Sequence, residues 1–129
     1  MKEQKLAIVI ARPASEVFNF TLNPKNTPIW VEGIAEEVVN EDPTKLGTIY
    51  RNRGESGSWS EYIVTGFEKD KTFTFSQKAS GYHVKYDFKP LSDNRTELTY
   101  HEWVDAGGQL KEPFKIEILQ KLKEVVEAQ

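Results

Sequence analysis

The sequence contains no cysteine and only two histidines. A disulfide framework and thiolate chemistry are therefore excluded. Long apolar runs are also missing. The N-terminal run Leu6–Ala11, within MKEQKLAIVIARPAS, is shorter than a signal h-region or a membrane span, so the chain is expected to be soluble and cytoplasmic, with no stable membrane insertion. Without a secretory signal, the glycosylation sequon Asn94-Arg95-Thr96 carries no weight. Charge of one sign is absent too. The net charge is −3, both signs are interspersed, and no basic stripe or basic amphipathic helix points to nucleic acid or a membrane surface. Gly54-x-x-Gly57 and Gly107-Gly108 lack the Lys-Ser/Thr of a phosphate loop and read as turns. No cofactor is implied.

What is present is one domain's worth of chain, 129 residues, with aromatic residues at 12%. A domain of this size buries about two thirds of the surface its unfolded chain exposes, enough to fold without a metal or disulfide. We read residues 1–129 as a single domain.

KLAIVIA (5–11) is rich in Ile and Val and predicts a strand. Pro13 then fits the first turn of a helix whose buried side is supplied by Val17, Phe18, Phe20 and Leu22. Asn23-Pro24 ends it, because the residue before proline disfavours the α region. A second short helix is predicted from Asn26 or Thr27, with Pro28 in its first turn, ending by Gly33. Six strands follow: 35–40, 46–53, 59–67, 72–77, 82–89 and 96–104, separated by short turn-rich segments. The clearest is Tyr82–Lys89, where Tyr82, Val84, Tyr86 and Phe88 alternate with His83, Lys85, Asp87 and Lys89. At the end the period changes. Phe114, Ile118, Leu122 and Val125, widened by Leu119 and Val126, predict one amphipathic helix of about four turns. Consecutive strands with short turns make an antiparallel meander. Its apolar face must be buried, and the C-terminal helix is the only long amphipathic element available.

Alternation places Tyr82, Val84, Tyr86, Phe88, Leu98, Tyr100, Glu102, Phe73, Phe75, Thr48, Tyr50 and Asn52 toward that helix. Arg51, Arg53, His83, His101 and Trp103 point away. The fourth strand leaves two readings, with Tyr62 and Val64 inward or Trp59, Ile63 and Phe67 inward, which a bulge would reconcile. Large aromatics mixed with hydroxyls and one carboxylate on an inner face fit either a small-molecule pocket or a core with hydroxyls at its wet rim.

Several segments, taken in order, carry a family resemblance: ARPASEVFNFTLNPKNTPIWVEGI, LGTIYRNR, YIVTGFEKDKTFTF and YDFKPLSDNRTELTY. The chain resembles the START-like (SRPBCC) superfamily, specifically its polyketide cyclase/dehydratase-like and lipid-transport-like group. Where the family often carries prolines after Phe67, this chain has Glu68-Lys69-Asp70-Lys71, which should affect only the turn. The resemblance implies an α+β helix-grip fold of the Bet v 1/START type: a curved seven-stranded antiparallel sheet around a long C-terminal helix, with two short helices after strand 1. It also implies that Trp30 sits on the second short helix at the open end of the grip, as a plug or a ligand contact. The expected ligand-binding set is Trp30, Tyr50, Phe75, Tyr86, Tyr100 and Leu119.

Glu102 is the candidate catalytic residue, since a desolvated carboxyl near Tyr100 suits a general acid or base. The alternative is a solvated carboxylate at a frayed strand end. His101-Glu102-Trp103-Val104-Asp105 is not a His-Glu-x-x-His zinc motif, and no third ligand is apparent, so no metal is expected. Ser56, Ser58 and Ser60 have no inward histidine partner, which argues against a hydrolytic triad. Three functions fit. The first is a carrier or sensor of a small hydrophobic or aromatic molecule. The second is a cyclase- or dehydratase-type enzyme using Glu102 with Tyr50, Tyr86 or Tyr100. The third is a protein-interaction module of co-chaperone type presenting Trp103, Trp59, Arg51 and Arg53. An exposed Trp103 beside the last strand would also offer a seed for a homodimer.

Overall fold

The computed structural model describes residues 1–129. Its elements are β1 (Glu3–Ile10), α1 (Ala14–Leu22), α2 (Thr27–Trp30), β2 (Glu36–Val39), β3 (Ile49–Arg53), β4 (Trp59–Glu68), β5 (Thr72–Gln77), β6 (Tyr82–Ser92), β7 (Arg95–Val104) and α3 (Ile116–Glu127). All seven strands form one antiparallel sheet in the order β1-β7-β6-β5-β4-β3-β2. β2 to β7 are the expected meander. β1 pairs beside β7, with Glu3 opposite Trp103 and Ile10 opposite Thr96. The two short helices therefore carry the chain from one edge of the sheet to the other.

The proline- and asparagine-rich turn builds the corner between those helices. α1 stops at Leu22, one residue before the Asn23-Pro24 step. Asn23 Oδ1 accepts the Lys25 amide at 3.0 Å, and Asn26 Nδ2 donates to the Phe20 carbonyl at 3.1 Å. Each asparagine thus satisfies backbone groups that the break would otherwise leave unpaired. α2 is a single turn, with Pro28 in its first positions.

The strand β4 carries a bulge between Val64 and Gly66. The extra residue puts Tyr62 and Val64 on the inner face before the bulge and lets Phe67 join the same core after it. Trp59 stays outside, half exposed at 50%. Gly66 fits at the bulge because a Cβ there would lie 3.1 Å from Thr74 Oγ1.

Phe18 of α1 meets Phe67, Phe73 and Phe88 edge-on, at centroid separations of 5.7, 5.5 and 5.3 Å. α3 buries Leu119, Leu122 and Val126 against the sheet. The helix is shorter than the apolar pattern suggests. It begins at Ile116, and Phe114 lies outside it, stacked on Tyr100 at 4.0 Å. Its buried line accordingly runs 119, 122, 126, while Ile118 is only partly buried. Full burial of these three side chains contributes about 1.5–3 kcal/mol each.

Candidate functional site

α3 and the segment before it cover only part of the inner face. Between them, α2 and the strands β2 to β7 lies a cavity of about 570 Å³. That is within the range of small-molecule sites, about 300–1,000 Å³. Tyr50, Tyr62, Phe75, Val84, Tyr86 and Tyr100 form its sheet side. Trp30, Phe114 and Ile118 form the opposite walls, and the exposed residues Glu32, Gly33, Glu112, Pro113 and Lys115 surround its mouth.

Five of the six expected ligand-binding residues border this cavity: Trp30, Tyr50, Phe75, Tyr86 and Tyr100. Leu119 does not. It is fully buried in the core, and Ile118, one position earlier on α3, faces the cavity instead. The reason is the helix register just described, which rotates the buried line by one position. Trp30 is 2% exposed and forms a wall rather than a hinged cover, edge-on to Tyr86 and to Phe114, each at 6.4 Å.

Two carboxyl groups lie near the cavity, Glu102 buried and Glu37 partly buried, and they differ in what holds them. Glu102 is 2% exposed, so it is not at a frayed end. Its Oε1 accepts the Tyr82 hydroxyl at 2.7 Å, and its Oε2 accepts the Phe114 amide at 2.7 Å and the Gln4 side-chain amide. Gln4 also donates to the Phe114 carbonyl at 2.6 Å. The carboxylate is thus the hub of a joint between β1, β6 and the lead-in to α3, and it does not border the cavity. This corrects the expectation that Glu102 presents an acid to the cavity: three protein donors hold it, two on Oε2 and one on Oε1.

The acid that does border the cavity is Glu37, on β2. Its Oε1 accepts the Thr27 hydroxyl at 2.6 Å and its Oε2 accepts Asn52 Nδ2 at 3.1 Å. No cation pairs with it. Burial pushes its carboxyl above the ordinary value, and those two hydrogen bonds only partly oppose the shift. The sequence EEVV does not alternate in polarity, so nothing local marks Glu37 as inward. Its facing follows from register: Glu37 lies opposite Asn52 and Val39 opposite Tyr50, both inward residues of β3.

The tyrosines divide similarly. The Tyr50 hydroxyl is 2.7 Å from both the Leu22 carbonyl and Thr44 Oγ1, and burial pushes it up to about 12. Burial also raises Tyr62, Tyr82, Tyr86 and Tyr100, so all five phenols remain neutral hydrogen-bonding groups near neutral pH. Tyr82 is committed to Glu102. The hydroxyls of Tyr62 and Tyr86 have no protein partner, and the buried Trp30 Nε1 has none either.

The outer face holds two further clusters. Trp103 is half-buried between His83 and His101, with ring centroids 5.1 and 4.7 Å away. Those imidazoles bond Asp105 and Glu3, each at 2.9 Å. The expected dimer seed is therefore already covered on both sides. Arg51 pairs with Glu61 and Arg53 with Glu36, each at 2.9 Å, and Arg53 also lies 5.6 Å from the Trp59 ring. Sequence reading missed a Ser76–His83–Asp105 chain, with Ser76 Oγ 2.7 Å from His83 Nδ1. Ser76 is 5% exposed in mid-strand, also bonded to Thr65, and the amides around it are spent in ladders with β4 and β6. With no donors to serve as an oxyanion hole, the chain is a structural relay. No group of three or more His, Asp or Glu side chains is placed to hold a metal. No helix is long and apolar enough to cross a membrane.

The family model described as polyketide cyclase/dehydrase and lipid transport matches residues 1–128. No curated protein matches significantly. Several solved structures share the fold at low identity. A conserved protein of unknown function from Enterococcus faecalis, EF2215, superposes with a TM-score of 0.77 at 14% identity, covering 97% of this chain and 71% of that one. A START superfamily protein from Mycobacterium smegmatis gives 0.69 at 15% identity, covering 99% and 96%. Ara h 8.0201 gives 0.63 at 15% identity, covering 98% and 95%.

Proposed function

The chain belongs to the polyketide cyclase/dehydrase and lipid-transport family, and from that premise we propose that it binds or carries a small hydrophobic or aromatic molecule in the cavity between the sheet and α3. The observation that carries this reading is the aromatic-walled cavity of about 570 Å³, with the hydroxyls of Tyr62 and Tyr86 uncommitted on its surface. Apolar walls give affinity, and a few placed polar groups give orientation. Glu102, the acid expected to do chemistry, is engaged in holding the fold together.

A second reading, an enzyme of cyclase or dehydratase type, is favoured by one observation. Glu37 is a cavity acid with raised proton affinity, and its charge reaches the neighbouring Tyr62 and Tyr86 hydroxyls. Such a group suits proton transfer to or from a carbonyl compound. Under this reading Glu37 takes the role expected of Glu102.

Native mass spectrometry of the purified protein, followed by extraction and identification of bound material, tests the primary reading. A low-molecular-weight apolar adduct that is lost on denaturation is the expected result. If the protein is free of adduct and also fails to enhance the fluorescence of apolar dyes, the binding reading falls. Turnover of an extracted compound that survives Glu102→Gln but not Glu37→Gln would establish the second reading.

A further inference from the structure

The cavity has a charge problem that a purely apolar ligand does not solve. Glu37 is its one interior carboxyl, and the mouth adds Glu32 and Glu112 against a single cation, Lys115. Lys115 is exposed and makes no ion pair with Glu37. Each Glu37 oxygen receives one hydrogen bond, from Thr27 and from Asn52, which leaves acceptor positions free on both. Tyr50, Tyr62 and Tyr86 lie near enough to feel its charge, Trp30 and Phe75 line the same cavity, and aromatic faces carry negative electrostatic potential. The interior carboxyl and the aromatic walls favour positive charge; the features that favour an acceptor are the unpaired Trp30 Nε1–H and, at the mouth, Lys115.

We infer that the ligand carries a protonated amine on an aromatic or otherwise apolar body, with its nitrogen bound at Glu37. This deepens the cavity-binding reading and rests on it. An ammonium supplies the counter-charge that Glu37 lacks, and a charge-assisted hydrogen bond to a carboxylate is about twice as strong as a neutral one. The aromatic faces add cation–π attraction, which is strongest where water is excluded. The free hydroxyls of Tyr62 and Tyr86 can accept the remaining N–H bonds. A carboxylate on the same apolar body meets the opposite situation: a like charge at Glu37, with the cavity's one cation, Lys115, out at the mouth. The site therefore discriminates by repulsion as well as attraction. A neutral ligand can offer Glu37 at most an uncharged hydrogen bond and supplies no counter-charge, so the carboxyl keeps its raised proton affinity. Binding of an amine, by contrast, holds Glu37 ionised.

Three matched fluorescent probes separate these cases: 1-pyrenylmethylamine, 1-pyrenylmethanol and 1-pyreneacetate, titrated into the intact protein near neutral pH. The expected order is amine, then alcohol, then carboxylate, with the amine about tenfold tighter than the alcohol. Glu37→Gln should remove the amine's advantage over the alcohol, because the amide side chain still accepts a hydrogen bond but carries no charge. A measurement on the unaltered protein guards against a variant that fails to fold. Between neutral pH and pH 4.5 the amine's affinity should fall as Glu37 takes up its proton, while the alcohol's stays level. The other groups facing Glu37 are the Thr27 hydroxyl from α2, Asn52 and Tyr50 from β3, Tyr62 from β4 and Tyr86 from β6, and none of them changes charge in that interval. Glu32, Glu112 and Lys115 at the mouth are present in both proteins, so the Glu37→Gln comparison isolates the interior carboxyl. Alcohol or carboxylate binding as tightly as the amine overturns the amine inference and leaves the cavity reading standing. Failure of all three probes to bind overturns both.

Discussion

Glu102 accepts hydrogen bonds from Tyr82, Gln4 and the Phe114 amide, three partners far apart in the chain. Replacing it with alanine strands those donors in a buried joint, so Glu102→Ala should lower stability by about 2–4 kcal/mol in urea unfolding. A loss under about 0.5 kcal/mol, the range of ordinary surface substitutions, would show that the joint does not hold. Glu37 behaves in the opposite sense. Its folded-state value is raised, so between the unfolded value of 4.5 and the folded one the folded protein binds more protons. Stability from this group is fully present below 4.5 and is lost as pH rises through the folded value. The urea midpoint of the wild type should therefore fall relative to Glu37→Gln as pH is raised from 4.5 to neutrality. A difference that is constant with pH would refute that sign. Neither role is legible from residue type, since both glutamates sit among strand residues. Alternation did mark Glu102 as inward, and Tyr82 with it, but the other two partners lie 98 residues away at Gln4 and in the lead-in to α3.

At the scale of elements, the bulge in β4 has the sharpest consequence. Tyr62 and Val64 precede it and Phe67 follows it, yet all three face the same way because Thr65 is extra. Deleting Thr65 would flip one half of the strand relative to the sheet, exposing either Phe67 or the Tyr62/Val64 pair. Such a deletion should abolish cooperative unfolding, whereas Thr65→Ala, at an exposed position, should shift the urea midpoint only slightly. Comparable behaviour of the two would mean that β4 can re-register without the bulge. The conflict between the two facing patterns is visible in the sequence WSEYIVTGFE, and so is the need for a bulge. α3 is less legible. Its apolar stripe extends back to Phe114, but the helix starts at Ile116, because Phe114 is held instead by its stack on Tyr100 and its amide bond to Glu102.

Across the whole molecule, the fold leaves the cavity open at one end of the sheet while the Phe18, Phe67, Phe73 and Phe88 cluster fills the other. Trp30 stands on the cavity wall, and Trp59 and Trp103 lie on the outer face. A Trp59→Phe, Trp103→Phe double variant therefore leaves one indole as a reporter. Its emission should change on saturation with pyrenylmethylamine, and a saturating ligand at 100 times its dissociation constant should stabilise the protein by about 2.7 kcal/mol. Stabilisation with no change in Trp30 emission would place the binding site elsewhere.

Local pattern was enough for the element order, the facing of β3 and β5 to β7 and the aromatic character of the inner face, because period-two alternation and proline and asparagine breaks act over a few residues; register and a bulge set the facing of β2 and β4. Alternation also marked Tyr50, Phe75, Tyr86 and Tyr100 as residues of one face, and the family resemblance put Trp30 at the open end of the grip; all five border the cavity. The tertiary structure alone decided that β1 closes beside β7, that Leu119 yields its expected place to Ile118, and that Glu37 rather than Glu102 is the acid of the cavity. Each of those outcomes depends on strand register or on partners distant in sequence. A local pattern holds no information about which distant donor will reach a given oxygen, and that contact is what separates a structural carboxylate from one left free to meet a ligand.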